Sequence, residues 1–364
     1  MPPHPDARPA QPGRGATVNP ANRFDRIITE ADPDFAEWDD LGGPVTRPHP
    51  RTQFFLDATA SVLTRNDSPD LRHAWGLNPY RGCEHGCAYC FARPYHDYLG
   101  WSSGLDFETK IMVKTRAPEL LRAELSAPSW RAEAIGLSGV TDCYQPAERH
   151  FQVTRGCLEV LAEFRQPVAI ITKNFLVTRD RDLLAPLAAM GAAAVYISLA
   201  TLDPDLAGRL EPRAARPEHR LRAIRLLADA GIPVGVLTAP VIPGLTEHEL
   251  PALLAAAAQA GARAAGYVLL RLPHAVKDVF LAWLDTHAPG KKDRVLARLR
   301  ALRGGKLYDA SFGTRLRGEG IFAEQIKQLF TVSARRAGLK EARLDLSAAH
   351  FRRPGGVQLD MNIL

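Results

Sequence analysis

Between residues 73 and 271 short apolar runs alternate with stretches of helical period. The runs fall at 135–137, 168–171, 195–197, 234–237 and 267–270, built from Val, Ile, Leu or Tyr, with a Gly or Ala inside the first, second and fourth. Apolar runs of this length, bounded by turn residues, predict buried strands. Leu221, Ile224 and Leu227 recur at helical spacing, and Gly231 then offers a C-terminal stop. Thr246 and Glu249 have the spacing of a capping box opening a helix towards Gly261. A further strand leading into the loop around residue 83 makes six. Six strands alternating with helices predict a parallel α/β sheet, either doubly wound or rolled into a complete or partial barrel.

Polar residues follow the strands directly: Thr141-Asp142, Thr172-Lys173-Asn174, Ser198 with Thr201, Thr238, and Arg271. Singly, such residues mark any strand-to-loop transition. In a parallel barrel they share the face that carries active sites.

The flanks read differently. Residues 1–22 hold six prolines and few large apolar side chains, which predicts disorder. Residues 23–72 mix acidic and apolar stretches, including Phe54-Phe55-Leu56, and read as an extension packed on a core that spans 73–290. From Lys291 to Leu364 the chain is mainly of helical pattern, with sixteen Lys and Arg against seven Asp and Glu. That excess of nine is larger than the whole chain's net charge of +6, so the preceding residues are net acidic. Tyr308, Phe312, Phe322, Phe330 and Phe351 are interleaved with the cations. Such a segment is either a solvated arginine-rich face or a nucleic-acid surface, with cations for phosphates and rings for bases. No apolar run reaches transmembrane length and no secretory leader is evident, so the expected compartment is the cytoplasm.

Three of the five cysteines lie within eight residues, at Cys83, Cys87 and Cys90. Gly82 and Gly86 give that loop backbone freedom, and Tyr89 sets an aromatic ring beside the last thiol. With His85 the three could form a Cys₃His zinc site, although zinc ligands usually come as two separated pairs. Three thiolates alone leave one iron of a four-iron cubane open to another ligand. Cys157 sits among helical Leu158 and Leu161 and reads as core.

The full run from Asn78-Pro79-Tyr80-Arg81-Gly82 to Tyr89-Cys90-Phe91-Ala92-Arg93 resembles the cluster loop of the radical S-adenosylmethionine (SAM) superfamily, in the branch related to spore photoproduct lyase. The resemblance implies an open (βα)6 partial TIM-type barrel, one 4Fe-4S cluster ligated by Cys83, Cys87 and Cys90, and S-adenosyl-L-methionine on the open iron. It implies reductive cleavage of SAM to a 5′-deoxyadenosyl radical that abstracts a substrate hydrogen, with an electron donor such as flavodoxin or ferredoxin. By the same resemblance Tyr89 contacts the adenine, Thr141 and Asp142 hold the SAM amino group, Lys173 its carboxylate and Ser198 the ribose. The usual Gly-Gly-Glu form is missing at 141–142, and Lys173 also reads as a solvated strand-end lysine. Residues 239–245 resemble the segment packed near the adenine. Cys143 reads as a small buried hydrophobe, or as the thiol that returns a hydrogen atom in photoproduct lyases. The substrate is unnamed; a DNA-lesion lyase and a non-catalytic zinc and nucleic-acid-binding protein are the competing readings.

Overall fold

The computed structural model describes residues 13–24, 51–70, 74–340 and 344–354. Its strands are β1 (Gln53–Leu56), β2 (Leu63–Arg65), β3 (Trp75–Leu77), β4 (Tyr80–Arg81), β5 (Lys110–Val113), β6 (Ile135–Leu137), β7 (Val168–Thr172), β8 (Ala193–Ser198), β9 (Val234–Val241) and β10 (Ala264–Leu269). In the large sheet β3, β6, β7, β8, β9 and β10 lie side by side in that order, all parallel, and β2 adds antiparallel to β3. Every parallel strand neighbours the next one in the chain. A doubly wound sheet would reverse its order at a switch point. Right-handed crossovers that never reverse put all the helices on one face, so the sheet is a partial barrel of six strands. A second sheet, β1-β5-β4, stands beside it.

The strands form where the apolar runs fall, because both faces of a parallel strand are covered. β8 is buried along its whole length. Ile170, Val195, Val234, Leu158, Leu161, Ile224 and Leu227 join one continuous core. Removing a buried leucine from such a core costs about 2–5 kcal/mol. In the helix Pro217–Asp229 the expected Ile224 and Leu227 are buried and Leu221 is half-buried against the core, and Gly231 behind it takes a left-handed φ of 76°. β10 starts earlier than its apolar run, at Ala264. Small residues fit there because a Cβ on Gly266 would come within 3.0 Å of Leu237.

Two expectations fail. The helix Leu250–Gln259 has no capping box. Thr246 Oγ1 accepts from the Ile242 N–H, and Glu249 is drawn away to Thr201 Oγ1 at 2.6 Å and Leu202 N at 2.7 Å. Residues 13–22 are not disordered; residues 1–12 lie outside the described residues. Ala16 and Val18 bury against Leu105, Val279 and Ala282. The Gly15 and Ala16 N–H groups donate to the buried Glu108 carboxylate at 3.1 and 2.9 Å. Proline-rich composition understated this, since the segment needs only small side chains: a Cβ on Gly15 would lie 1.7 Å from Gly86 O.

The C-terminal part runs from the cysteine end of the barrel to the opposite one: Val295, Leu296 and Leu299 join the buried cluster of Cys87, Ala88 and Tyr89. Helices Lys292–Ala301, Thr314–Arg317 and Ile321–Arg336 lead to Lys340, which bridges to the free edge of β10. Residues 344–354 then cross the N-terminal ends of the strands. Leu344 N donates to the Tyr196 hydroxyl, Ser347 N to Gly191 O and Arg352 N to Phe164 O. Arg353 reaches Trp130 O at 2.9 Å.

Candidate metal and cofactor site

The cysteine loop leaves the C-terminal end of β3 and is folded by its glycines and by buried side chains. Gly82 and Gly86 both adopt left-handed φ, 78° and 67°. A Cβ on either would also collide, with Lys110 O at 2.9 Å or Glu108 Oε2 at 2.7 Å. Cys83 N donates to Phe107 O, Cys90 N to Cys87 O and Ala88 N to Leu210 O. Gln145, fully buried, clasps the loop from both sides: its Oε1 accepts from Glu84 N and its Nε2 donates to Gly82 O.

Arg93, also fully buried, is the chief support. Its Nε and Nη2 both donate to Cys87 O at 3.0 and 2.8 Å. Its Nη1 donates to Ser103 O and Gly104 O, and its Nη2 meets Glu108 at 2.5 Å. All five donors of the guanidinium are used. The carboxylate of Glu108 is completed by the Gly15 and Ala16 amides, which ties the N-terminal segment to the back of the loop.

Cys83 and Cys87 are buried and Cys90 is half-buried. Burial pushes the Cys83 thiol well up, and Asp142, Cys87 and Cys90 beside it add to that. Burial and Glu211 raise Cys87, against the nearby Lys173 ammonium. Cys90 packs against the cluster that holds Cys87 and against the one that holds Cys83, so the three side chains neighbour one another, and Lys173 lies within electrostatic reach of Cys87. Metal binding would supply the positive charge that lets these buried thiols ionise.

His85 is not available to join them. Its Nδ1 faces Asp142 Oδ2 at 3.4 Å, and its Nε2 faces Asn174 Nδ2 at 3.2 Å. Asn174 Oδ1 accepts from Leu176 N, which fixes the amide so that Nε2 is an acceptor. Among the described residues no three His, Cys, Asp or Glu side chains converge where a single metal ion could sit. This contradicts the Cys₃His zinc arrangement. A cubane offers its irons at separate corners, so three neighbouring thiols that do not meet at a point still fit it.

The other sequence-derived residues gather on the same strand ends, with some changes of role. Asp142 Oδ1 accepts from Thr172 Oγ1 (2.7 Å) and Tyr144 N, and Oδ2 from Lys173 N (2.8 Å) besides His85. Burial alone would raise the Asp142 carboxyl, but His85 and these donors bring it down to about 2. Protein donors thus fill an anionic Asp142, which makes it a clasp between the loop and β7. It is not a free acceptor for the SAM amino group. Thr141 Oγ1 donates to Tyr80 O. Ser198 ends β8, buried, and its carbonyl accepts from Arg220. The Tyr89 hydroxyl donates to Glu211, which pairs with the buried Arg220. Ile242 and Leu245, in the 239–245 segment, pack in one cluster with Cys87, Ala88 and Tyr89.

Cys143 has no exposed surface and joins the main core, as does Cys157. Sequence reasoning missed Glu108, Gln145, Glu211 and Arg220. Arg93 stood in the quoted loop run with no role attached. The basic C-terminal segment is engaged with the fold itself. Arg315 pairs with Asp70 and lies over Phe312 at 4.4 Å, Arg317 lies over Tyr267, and Arg298 lies over Phe322. No helix among the described residues is long and apolar enough to cross a membrane.

Residues 77–257 match the model of the Radical SAM superfamily. An uncharacterized protein of Mycobacterium tuberculosis is 38% identical over 250 residues, covering 68% of this chain and 72% of the relative. One from Methanocaldococcus jannaschii is 30% identical over 176 residues, 48% of this chain and 62% of its own. Among solved structures, spore photoproduct lyase complexed with dinucleoside spore photoproduct superposes with a TM-score of 0.55, covering 79% of this chain and 80% of that one. A variant of that lyase with bound AdoMet and the same ligand gives 0.55 over 79% and 81%. At 15% identity these two likenesses speak for the fold alone. With the loop, the open barrel and the matched segment together, the chain belongs to the radical SAM superfamily, whose members use a 4Fe-4S cluster and S-adenosylmethionine.

Proposed function

We propose that this chain is a radical SAM enzyme that holds one 4Fe-4S cluster through Cys83, Cys87 and Cys90 and leaves one iron for SAM. The observation that carries the reading is three neighbouring thiols at the strand ends with His85 turned away to Asp142 and Asn174. When bound and reduced, the cluster supplies the electron that splits SAM into methionine and a 5′-deoxyadenosyl radical, which takes a hydrogen atom from the substrate. The chain's residues position and shield. Arg93 and Gln145 fix the loop backbone. Lys173, beside Cys87, pairs with the SAM carboxylate. Ser198 meets the ribose, and Tyr89, anchored through Glu211, stands by the adenine. A flavodoxin or ferredoxin is the expected electron donor. The engaged arginines of the C-terminal segment give no support to a DNA-lesion lyase built on that surface.

Anaerobic reconstitution tests the proposal. About four irons per chain, and slow formation of 5′-deoxyadenosine and methionine from SAM after reduction, are the expected result. Stoichiometric zinc in place of iron overturns it.

A further inference from the structure

Beside the cysteine loop opens a cavity of about 480 Å³, lined among others by Arg149, Asn174, Phe175, Arg213, His219 and Arg222. No acidic residue lines it. Arg213 is partly neutralised by Glu84 at 3.0 Å. Arg149 and Arg222 are not: among the described residues neither has a carboxylate within ion-pair distance. Arg222 rests over the Phe175 ring at 5.5 Å, and the His219 ring lies 6.1 Å from the same ring. The cavity also meets the first turn of helix Pro217–Asp229, whose N-cap residue, Arg216, makes no side-chain cap hydrogen bond.

Two uncompensated guanidinium groups facing one concave space raise its potential and concentrate anions there. One layer of hydrogen bonds separates this space from the cysteine loop. Asn174 meets the His85 ring, Arg213 N donates to His85 O, and Ala215 N donates to Lys173 O.

We infer that this cavity binds a phosphate group of the substrate, an inference that rests on the radical SAM reading for the word substrate but not for the binding itself. A phosphate monoester brings nearly two negative charges and three acceptor oxygens, and a phosphodiester one charge and two free oxygens; either meets the two guanidinium forks. The volume falls within the range of small-molecule sites. The group arrives either on a small phosphorylated molecule or as the phosphodiester of a nucleic acid.

The test is calorimetric titration of the full-length protein, without added cluster or SAM, at low salt. The probes are inorganic phosphate and a single-stranded DNA decamer lacking terminal phosphates. At least one should bind, and Arg149→Gln and Arg222→Gln should each weaken that binding about tenfold. Arg149→Lys and Arg222→Lys should keep part of it. Circular dichroism checks the fold, which should survive because both residues are exposed and neither makes an ion pair among the described residues. Phosphate binding alone points to a small phosphorylated substrate. Tighter, salt-sensitive decamer binding that the same variants weaken points to a phosphodiester. Absence of binding by both probes, or wild-type affinity in both folded glutamine variants, overturns the inference. Loss of iron or of SAM cleavage would instead sink the function proposed above and leave the cavity standing.

Discussion

Arg93 and Arg353 both donate to main-chain carbonyls, at opposite ends of one barrel. Arg93 is wholly buried and spends every donor on the cysteine loop and Glu108. Arg353 is exposed and reaches Trp130 O and, at 3.3 Å, Ala127 O, the C-cap of helix Ala117–Ser126. Its neighbour Arg352 donates to Glu163 O in the last turn of helix Val153–Phe164. Helix C-termini leave carbonyls unsatisfied and carry partial negative charge, so cations settle there. The same side chain thus organises a site when buried with a counter-ion and seals a helix end when left in water. A count of arginines along the sequence cannot tell these uses apart.

Breaking the buried case should have the largest effect. Arg93→Ala strips the buried Glu108 carboxylate of its closest cation and leaves the Gly15 and Ala16 amides on it, so destabilisation of about 3–5 kcal/mol is expected in urea unfolding. Iron content after reconstitution should fall with it. Normal stability and iron would mean that the loop holds itself.

A smaller loss is expected from Lys173→Ala, which removes a charge-assisted contact and should weaken SAM binding by about 1.5–3 kcal/mol, with the cluster intact. Equilibrium dialysis with labelled SAM reads this directly. Unchanged affinity would return Lys173 to the role of a strand-end lysine.

The smallest effect belongs to the exposed case. Arg353→Ala should cost about 1 kcal/mol in thermal or urea unfolding and leave iron content and SAM affinity as they were. An altered cluster in this variant would couple the two barrel ends and end the contrast drawn between them.

What the sequence shows of this molecule follows the range of its signals. The parallel strands announce themselves as apolar runs, and the thiols by spacing within one loop; both are local. The supports of that loop are not local. Glu108 meets Gly15, Gln145 meets Glu84 and Glu211 meets Tyr89 across 93, 61 and 122 positions of chain. Arg220 sits on a helix with two other arginines, where a buried arginine reads like any solvated one. Asp142 stood at the right strand end, yet its partners His85 and Thr172 decide that it clasps the loop, and no spacing rule connects them. The short strands β2 and β4 carry too few residues for a period to show, and β1, although it holds the Phe54-Phe55-Leu56 run, is exposed along its length.

The central claim is that three cysteines leave one iron free for SAM. Electron paramagnetic resonance of the reconstituted, dithionite-reduced protein, recorded with and without SAM, addresses it most directly. The account predicts the signal of a single reduced 4Fe-4S cluster whose g-values shift when SAM is added, and no such signal in Cys87→Ala. A spectrum that SAM leaves unchanged, or an intact cluster in Cys87→Ala, would contradict it.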